Sequence, residues 1–352
     1  MGIVRLESWR LDLPLKTPYS IAYQRVERAP NIFVRLVTEG ARIGSGCAAP
    51  DEDVTGESPE ATEAALAGPA AEMLRGQDAD RPVHLMELLR VPLAAAPAAR
   101  AAVDMALWDL MARRAGLPLW KLLGGYRERI ATSITLGILP LEETVEEARR
   151  RCREGFRVLK LKGGLDAAED AERVRAVRAA VGAEVALRFD ANQGYTPEAT
   201  RVFLAATAEC ALELLEQPTS AARPDQLGEL GRRTVPVMAD ESVLSLADAY
   251  RLARAGTIDM VNVKLMKVGG VAEALRLSAL ARAAGLAVMM GCMDEAALAI
   301  AAGLAVALAR PGVTHADLDG HLDLGEDPTA GAVRLDAGWL YPADGPGLGV
   351  SL

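Results

Sequence analysis

The segment from Val158 to Asp190, VLKLKGGLDAAEDAERVRAVRAAVGAEVALRFD, carries the pattern that decides the fold. Two short apolar runs, Val158–Leu161 and Val185–Phe189, are typical of buried strands, and the stretch between them is long enough for a helix. Each run ends in ionisable side chains, lysine in the first and aspartate in the second. A strand, a helix and a second strand are the unit from which parallel sheets are built.

The same alternation continues from about Arg129 toward the C-terminus and predicts a parallel sheet closed on itself. No Gly-rich phosphate-binding sequence follows the first strand, which argues against a dinucleotide-binding sheet. The eight predicted strands are Ala131–Leu136, Val158–Leu161, Val185–Phe189, Leu212–Leu215, Val237–Ala239, Met260–Val263, Ala287–Met290 and His315–Leu318.

The chain before this region is predicted to be a separate α+β unit, because strands come first and helices follow. A loop from Pro14 to Pro30 is predicted between the first two strands, and the tail after Asp319, rich in Gly and Pro, is predicted to return to this unit. We therefore expect a first domain over 1–125, a barrel over 126–322 and a C-terminal segment over 323–352. The elements predicted for the first domain are strands Ile3–Arg10, Ile32–Thr38 and Ile43–Ala48 and helices Ser58–Leu74 and Ala98–Ala115.

The composition excludes several classes of function. The chain has 352 residues, with 39 Lys and Arg against 48 Asp and Glu, for a formal net charge of −9. Nucleic acids and anionic membranes attract clustered positive charge, so we expect neither as a partner. Hydrophobic residues make up 51% of the chain, which supplies a large core and argues against extensive disorder.

The sequence is typical of a reduced, cytoplasmic protein. Its four cysteines lie far apart and include no C-x-x-C pair. The N-terminus interleaves charged and apolar residues and has no signal-peptide core. The longest apolar run, Ala296–Ala309, is too short to cross a membrane and is predicted to be a buried helix.

Acidic residues end three successive predicted strands. Asp190, Glu216 and Asp240 follow one another at spacings of 26 and 24 residues. The C-terminal ends of barrel strands meet at one mouth, so these carboxylates would converge there and repel one another without a cation. An all-oxygen set of ligands suits Mg²⁺. The alternative is that each acid caps the helix that follows it.

Lysines lie on both sides of these acids. Lys160 and Lys162 are two residues apart on one strand and therefore face the same side, and Lys264 ends the sixth run. Neighbouring ammonium groups lower one another's pKa toward the range in which a lysine works as a general base. A lysine on each face of a carbon suits removing a proton from one side and returning it to the other. The alternative for the pair is a strand end with solvated lysines.

These charged positions belong to a larger ordered set of motifs that covers nearly the whole chain. The set resembles the muconate-lactonizing-enzyme subgroup of the enolase superfamily. Its members are Ala106-Leu-Trp-Asp-Leu110, Leu117-Pro-Leu-Trp-Lys-Leu-Leu-Gly-Gly125, Lys160-Leu-Lys162, Phe189-Asp-Ala-Asn192, Glu216-Gln-Pro218, Ala239-Asp-Glu-Ser242 and Val263-Lys-Leu-Met-Lys-Val-Gly-Gly270.

The resemblance implies an α/β fold, a modified TIM barrel of the (β/α)7β type with an N-terminal α+β capping domain. It implies a Mg²⁺ site and a lysine acid/base pair acting through an ene-diolate. The residues implied are Asp190, Glu216 and Asp240 for the metal, Lys162 and Lys264 for proton transfer, Lys160 to tune Lys162 and the substrate carboxylate, and Asn192 and Glu241 beside the metal acids.

Two aspartates at the end of the eighth run narrow the function. Asp317-Leu-Asp319 resembles the D-x-D motif of dipeptide epimerases. Two carboxylates on one face of a strand end can bind a substrate α-ammonium group through charge-assisted hydrogen bonds. The resemblance thus implies an isomerase that moves a proton at the α-carbon of a dipeptide's C-terminal residue. The alternative is a pair of turn-forming aspartates before Gly320.

The loops around the predicted mouth bear on the substrate side chain. Epimerases acting on Ala-Glu place an arginine in the early loop where this sequence has Gln24. Acids at Asp51-Glu52 and at Asp294 favour a neutral or cationic dipeptide over an acidic one. Asp294 has the alternative of capping the helix predicted to begin at Ala296. The residues predicted to contact substrate are Asp317, Asp319, Thr135, Met293, Asp294 and Gln24.

Two other functions stay consistent with the sequence. An o-succinylbenzoate synthase or a muconate-type cycloisomerase would share the lysines and metal acids, but its substrate has no ammonium group for the two aspartates. A non-catalytic metal- or ligand-binding barrel would have no use for opposed lysines. Barrels of this type often self-associate, so a homo-oligomer is also compatible with the sequence.

Overall fold

The computed structural model of the protein describes residues 1–20, 25–230 and 234–352. The N-terminal part, here called the cap, is an antiparallel three-stranded sheet in the order β1-β2-β3, with the longest helix, α5, packed against β3. The elements of the cap are β1 (Ile3–Ser20), β2 (Arg25–Thr38), β3 (Ile43–Ala48), α1 (Glu52–Thr55), α2 (Pro59–Ala65), α3 (Ala71–Leu74), α4 (Pro82–Leu89), α5 (Pro97–Ala115) and α6 (Leu119–Leu122).

The first hairpin is longer than predicted. The predicted loop from Pro14 to Pro30 is wrong at both ends, because β1 continues to Ser20 and β2 begins at Arg25. Pro14 pairs with Arg28 in the ladder. Strand β1 lies at the edge of its sheet, where the missing N–H of a proline can face away from a partner.

The helix predicted over 58–74 is present but irregular. Ser58 caps α2 by accepting a hydrogen bond from the backbone of Ala61. A π-helical turn, Leu66–Ala70, then joins α2 to α3. It contains Pro69, which has no N–H to donate to the helical ladder.

The barrel prediction is confirmed, with eight parallel strands in sequence order and helices outside them. The first predicted run divides into two strands, because β4 (Ile130–Ala131) pairs with the C-terminal tail and only β5 enters the barrel. The N–H of Ser133 donates to the carbonyl of Ala316 at 3.1 Å and closes the ring between β5 and β12. The barrel strands are β5 (Ile134–Leu136), β6 (Val158–Lys162), β7 (Ala186–Asp190), β8 (Leu212–Glu216), β9 (Val237–Ala239), β10 (Met260–Lys264), β11 (Ala287–Gly291) and β12 (Val313–Asp317).

The connections give the (β/α)7β pattern. A 3-10 segment, Pro224–Leu230, lies between β8 and β9, and the other crossovers contain α-helices. Every residue of the last helix is buried, as predicted for the long apolar run. No helix in the described part of the chain is long and apolar enough to cross a membrane. The helices are α7 (Leu141–Arg153), α8 (Ala167–Val181), α9 (Pro197–Ala206), α10 (Leu246–Ala255), α11 (Leu265–Val268), α12 (Val271–Ala283) and α13 (Ala297–Ala309).

The C-terminal tail contacts both the barrel and the cap. Its hairpin, β13 (Val333–Asp336) with β14 (Trp339–Pro342), extends β4 into a small antiparallel sheet. The carbonyl of Asp323 accepts from the N–H of Lys16 at 2.7 Å, in the C-terminal third of β1. These contacts tie the tail to the cap.

Helix α5 of the cap fixes the loop that follows β10. Asp104 accepts a hydrogen bond from the N–H of Ala272 at 3.0 Å, in the first turn of α12. Arg100 donates to the carbonyl of Val268 at 3.0 Å. Gly270 has φ 116°, and a Cβ there would lie 2.5 Å from Asp104. The cap and this loop therefore fit closely only with glycine at that turn.

We expect Gly46→Ala to destabilise the cap strongly. A Cβ at Gly46 would lie 2.0 Å from the carbonyl oxygen of Ala102 in α5, and backbone atoms on both sides leave little room to move. Overpacking of this kind costs at least about 1–3 kcal/mol. Urea unfolding would measure the loss, with Gly137→Ala as the matched control because nothing lies within 4 Å of its added Cβ. Equal stability of the two variants would contradict the close packing of β3 on α5.

Candidate active site

Three acidic side chains lie next to one another at the C-terminal ends of the barrel strands. Asp190 and Glu216 end β7 and β8 and are paired in the register, and Asp240 directly follows β9. All three are at most 1% exposed. Helices α9 and α10 are capped by Thr196 and Ser245, so the helix-capping alternative is wrong for Asp190 and Asp240.

Lys160 lies at the centre of the acids. Its Nζ is 2.7 Å from Glu216 Oε2, 2.7 Å from Asp317 Oδ2 and 3.0 Å from Asp190 Oδ2. Burial by itself would lower the pKa of Lys160, but the surrounding carboxylates raise it well above its ordinary value. The alternative of solvated lysines is therefore wrong for Lys160.

Lys162 and Lys264 lie at opposite ends of the row of acids. Lys162 contacts Asp190 at 2.8 Å, and its side chain is 29% exposed. Lys264 contacts Asp240 at 2.8 Å, and its side chain is 10% exposed. Burial lowers the pKa of Lys264, but the nearby carboxylates outweigh burial and raise it overall. For Lys160 and Lys264 the effect of the carboxylates on the pKa is therefore opposite to the lowering that we predicted for neighbouring lysines.

Two further polar residues of the site were not predicted. Lys267, in α11, is buried and contacts Asp240 Oδ1, the Asp240 carbonyl at 2.6 Å and the Asn262 carbonyl at 3.0 Å. Asn262 donates from Nδ2 to Glu216 Oε1 at 2.6 Å. The only sequence signal for Lys267 is its place three residues after Lys264, one helical turn onward.

The two aspartates of the D-x-D motif are both buried at the end of β12. Asp317 accepts from Ser133 Oγ at 2.6 Å and from Lys160 Nζ at 2.7 Å. Asp319 accepts from the backbone N–H of Thr135 at 2.7 Å. The backbone of Asp319 begins the 3-10 turn Gly320–Leu322, so the turn predicted by the alternative is present. The two carboxylates do not cap that turn and instead contact residues from other parts of the barrel.

The loop after β11 lies against the cap. Asn31, on β2, donates to the carbonyl of Asp294 at 3.1 Å and accepts from the N–H of Ala296 at 2.8 Å. The N–H groups at the start of α13 donate to the side chains of Asn31, Asp327 and Thr329, so the capping alternative for Asp294 is wrong. Met293 is partly buried in the same loop. Gln24, also predicted to contact substrate, lies outside the described residues.

Asn192 and Glu241 lie beside the acids, as expected from their motifs. The N–H of Asn192 donates to Asp190 Oδ1 at 2.9 Å, and its side-chain amide is 3.5 Å from Glu241 Oε1. Burial, with Asp240 and Asp190 close by, raises the pKa of Glu241 to about 7.

The electrostatics of the three acids fit a divalent cation. Burial and the nearby carboxylates of Asp190 and Asp240 together raise the pKa of Glu216 to about 8. Glu216 Oε2 lies 2.7 Å from the Lys160 ammonium but forms no well-directed hydrogen bond with any described residue. Within the ranges 1–20, 25–230 and 234–352, no three acidic, histidine or cysteine side chains are already arranged as metal ligands, because each acid turns toward a lysine. The donors are nonetheless all hard oxygens with unmet capacity, the set that Mg²⁺ prefers.

Two family models match the chain in succession. Residues 6–124 match the mandelate racemase/muconate lactonizing enzyme N-terminal domain, and residues 143–352 match the enolase C-terminal domain-like model. Together the two matches cover most of the cap and of the barrel.

Individual relatives are similar over the full length. An L-Lys-D/L-Arg epimerase of Desulforapulum autotrophicum is 41% identical, with 99% of each chain covered. A hydrophobic dipeptide epimerase of Enterococcus faecalis is 37% identical, with 96% of each covered. The crystal structure of a dipeptide epimerase from Methylococcus capsulatus, complexed with Mg and the dipeptide L-Arg-D-Lys, superposes with a TM-score of 0.94 at 41% identity, covering 99% of each chain.

We expect the stability of the metal-free protein to fall between pH 6 and pH 8.5, partly because of Glu295. Burial raises the pKa of this carboxyl to about 8. The folded state therefore keeps a proton that the unfolded state has already released, and this contribution is lost as the pH rises through the folded pKa. Glu295→Gln should reduce the loss by roughly 2–3 kcal/mol, from about 1.4 kcal/mol per pH unit over two units.

Urea unfolding in EDTA at the two pH values would measure this difference. Glu209→Gln is the matched control, because Glu209 is exposed. If Glu295→Gln leaves the pH dependence as steep as in the control, Glu295 does not hold the proton.

Proposed function

The chain belongs to the mandelate racemase/muconate lactonizing enzyme family of the enolase superfamily, and from that premise we propose that it epimerises dipeptides at the α-carbon of the C-terminal residue. The enzyme is an isomerase acting on amino-acid derivatives, and its cofactor is Mg²⁺, with which solved relatives are complexed.

The observation that carries the proposal is the buried pair of aspartates at the end of β12. Asp317 and Asp319 are 5% and 6% exposed and lie at the same mouth as the lysines. Asp317 already pairs with Lys160, whereas Asp319 has no ion-pair partner among the described residues. A buried carboxylate is costly unless a cation approaches it. The N-terminal ammonium of a dipeptide is such a cation, whereas the substrate of a cycloisomerase has none.

The acidic residues at the mouth would have two roles, binding of the metal and binding of the substrate ammonium. Asp190, Glu216 and Asp240 would hold the metal. When bound, Mg²⁺ would neutralise these carboxylates and the substrate carboxylate, which makes the α-proton easier to remove. Binding of the distal ammonium by Asp317 and Asp319 would align the α-carbon, so that remote binding energy serves the reaction.

Lys162 and Lys264 are the groups best placed to move the proton. Among the described residues each has one ion-pair partner, Asp190 for Lys162 and Asp240 for Lys264, which leaves donors of the ammonium available. They contact opposite ends of the row of acids, so one would take the proton from one face of the α-carbon and the other would protonate the other face.

A cationic side chain on the dipeptide is the substrate class that the charges favour. Asp51, Glu52 and Asp53 lie at α1, which packs against α11 immediately after Lys264. Asp294 follows β11 in the loop that lies against the cap. Relatives at 41% and 42% identity are L-Lys-D/L-Arg epimerases, which agrees with this excess of acids.

We expect deuterium to enter the α-position of L,L-dipeptides incubated with the enzyme and Mg²⁺ in D₂O, with the L,D diastereomer formed in parallel. A C-terminal Lys or Arg should react with a kcat/KM at least roughly tenfold above that of a C-terminal Glu, because one charged contact is worth more than about 1.4 kcal/mol in a partly buried site. Mass spectrometry and chiral chromatography would measure both.

Lys162→Ala and Lys264→Ala should each abolish epimerisation, while Lys121→Ala, a lysine in α6 outside the site, should not. A library in which no dipeptide takes up deuterium would rule out epimerisation. Normal turnover by either active-site lysine variant would rule out its role.

Asp319→Asn separates dipeptide epimerisation from a cycloisomerase reaction. Loss of one charge-assisted hydrogen bond should lower kcat/KM for a dipeptide roughly 10- to 100-fold. The same variant should leave metal binding unchanged, since Asp319 contacts Thr135 and not the metal acids. Steady-state kinetics and Mg²⁺ titration test the pair of outcomes, and unchanged dipeptide kinetics would favour the cycloisomerase.

A further inference from the structure

Lys267 is a buried cation to which neither the proton transfer nor the substrate contacts assign a role. It is 2% exposed and lies in the short helix α11. Its ammonium contacts Asp240 Oδ1, the carbonyl of Asp240 at 2.6 Å and the carbonyl of Asn262 at 3.0 Å. A lysine ammonium has three N–H donors, and here all three are used.

This saturation excludes Lys267 from the chemistry on the substrate. Lys264, three residues earlier, makes a single contact with Asp240 Oδ2 at 2.8 Å and keeps donors free. Lys267 has none to offer and is buried. Its contacts instead hold both the backbone and one carboxylate oxygen of Asp240.

We propose that Lys267 is a positioning residue for the metal site, which fixes the Asp240 carboxylate through Oδ1 and leaves Oδ2 free to exchange the Lys264 ammonium for a divalent cation. Asp240 directly follows the short strand β9, so its side chain needs a contact from outside that strand to have one orientation. The inference rests on the proposed function only in requiring a divalent cation at the three acids.

Two possible roles of Lys267, as a positive charge near the site and as a group that positions Asp240, predict opposite changes in cation affinity when Lys267 is removed. If Lys267 acted only as a positive charge near the site, its removal would relieve repulsion and tighten cation binding. If it positions Asp240, its removal lets the carboxylate turn and weakens cation binding. A purely structural lysine would change stability and leave cation affinity as it is.

Binding of Mn²⁺ to the substrate-free protein, followed by the electron paramagnetic resonance signal of free Mn²⁺, distinguishes these cases. We expect Lys267→Met to weaken Mn²⁺ binding at least roughly tenfold, the value of one charge-assisted hydrogen bond. Lys267→Gln, which keeps an amide donor, should weaken it less and serves as the second variant if the methionine variant does not fold. Circular dichroism and thermal melting in EDTA would check folding of both.

Arg188→Met is the matched control. Arg188 is also a buried cation inside the barrel, but it bonds to Glu213 and to the carbonyl of Ala316 and not to the three metal acids. Its loss should reduce stability with Mn²⁺ affinity unchanged. Unchanged or tighter Mn²⁺ binding in folded Lys267 variants would overturn the proposal. Because the titration uses no dipeptide, failure of the epimerase assay and failure of this inference are separate results.

Discussion

Charge compensation among buried groups is the constraint on which the mouth of the barrel depends. Three carboxylates, Asp190, Glu216 and Asp240, are almost fully withdrawn from water. An isolated buried charge is very costly, and even a paired one barely offsets its desolvation. The barrel meets this cost because adjacent parallel strands end at the same level, which brings a lysine within 3 Å of each acid. A divalent cation bound by the three acids would neutralise part of their charge. It would thereby release lysines for proton transfer.

The lysines of the mouth fall into two kinds, which residue type alone does not separate. Lys160 and Lys267 are surrounded by three acceptors each and have no donors to spare. Lys162 and Lys264 have one partner each and greater exposure. Each buried lysine lies close in sequence to an open one, two residues away on a strand or three residues away across a helical turn. A lysine whose ammonium is surrounded by three acceptors has no donor left for substrate and serves to hold the site together. A lysine with fewer acceptors keeps donors for proton transfer, even when both lie at the same mouth.

The parts of this molecule that sequence predicts are those fixed by local periodicity. The strand ends at Asp190 and Glu216, and the lysine pair on β6, follow from a period of two and from the length of one strand–helix unit. The hairpin beyond Pro14 was missed because tertiary pairing overrode the local proline signals. Capping of α13 is the alternative that the sequence offers for Asp294, because a helix start normally takes its cap from the preceding residues. In the structure the donor groups of α13 are satisfied by side chains distant in sequence, Asn31 and Asp327, which no local pattern reveals.

The contact between Asn31 of the cap and the start of α13 shows how the cap supports the candidate active site. The first N–H groups of a helix need acceptors, and a buried helix start without them is unstable. For α13 an acceptor comes from β2 of the cap, and for α12 from Asp104 on α5. Lys267 lies in the short helix α11 that precedes α12, and Met293 lies in the loop that precedes α13. Each loop is therefore held at one end by a barrel strand and at the other by a cap side chain. The cap thus fixes the loops of the mouth through two hydrogen-bonded helix starts, and a change in the cap can disturb lysines that it never contacts.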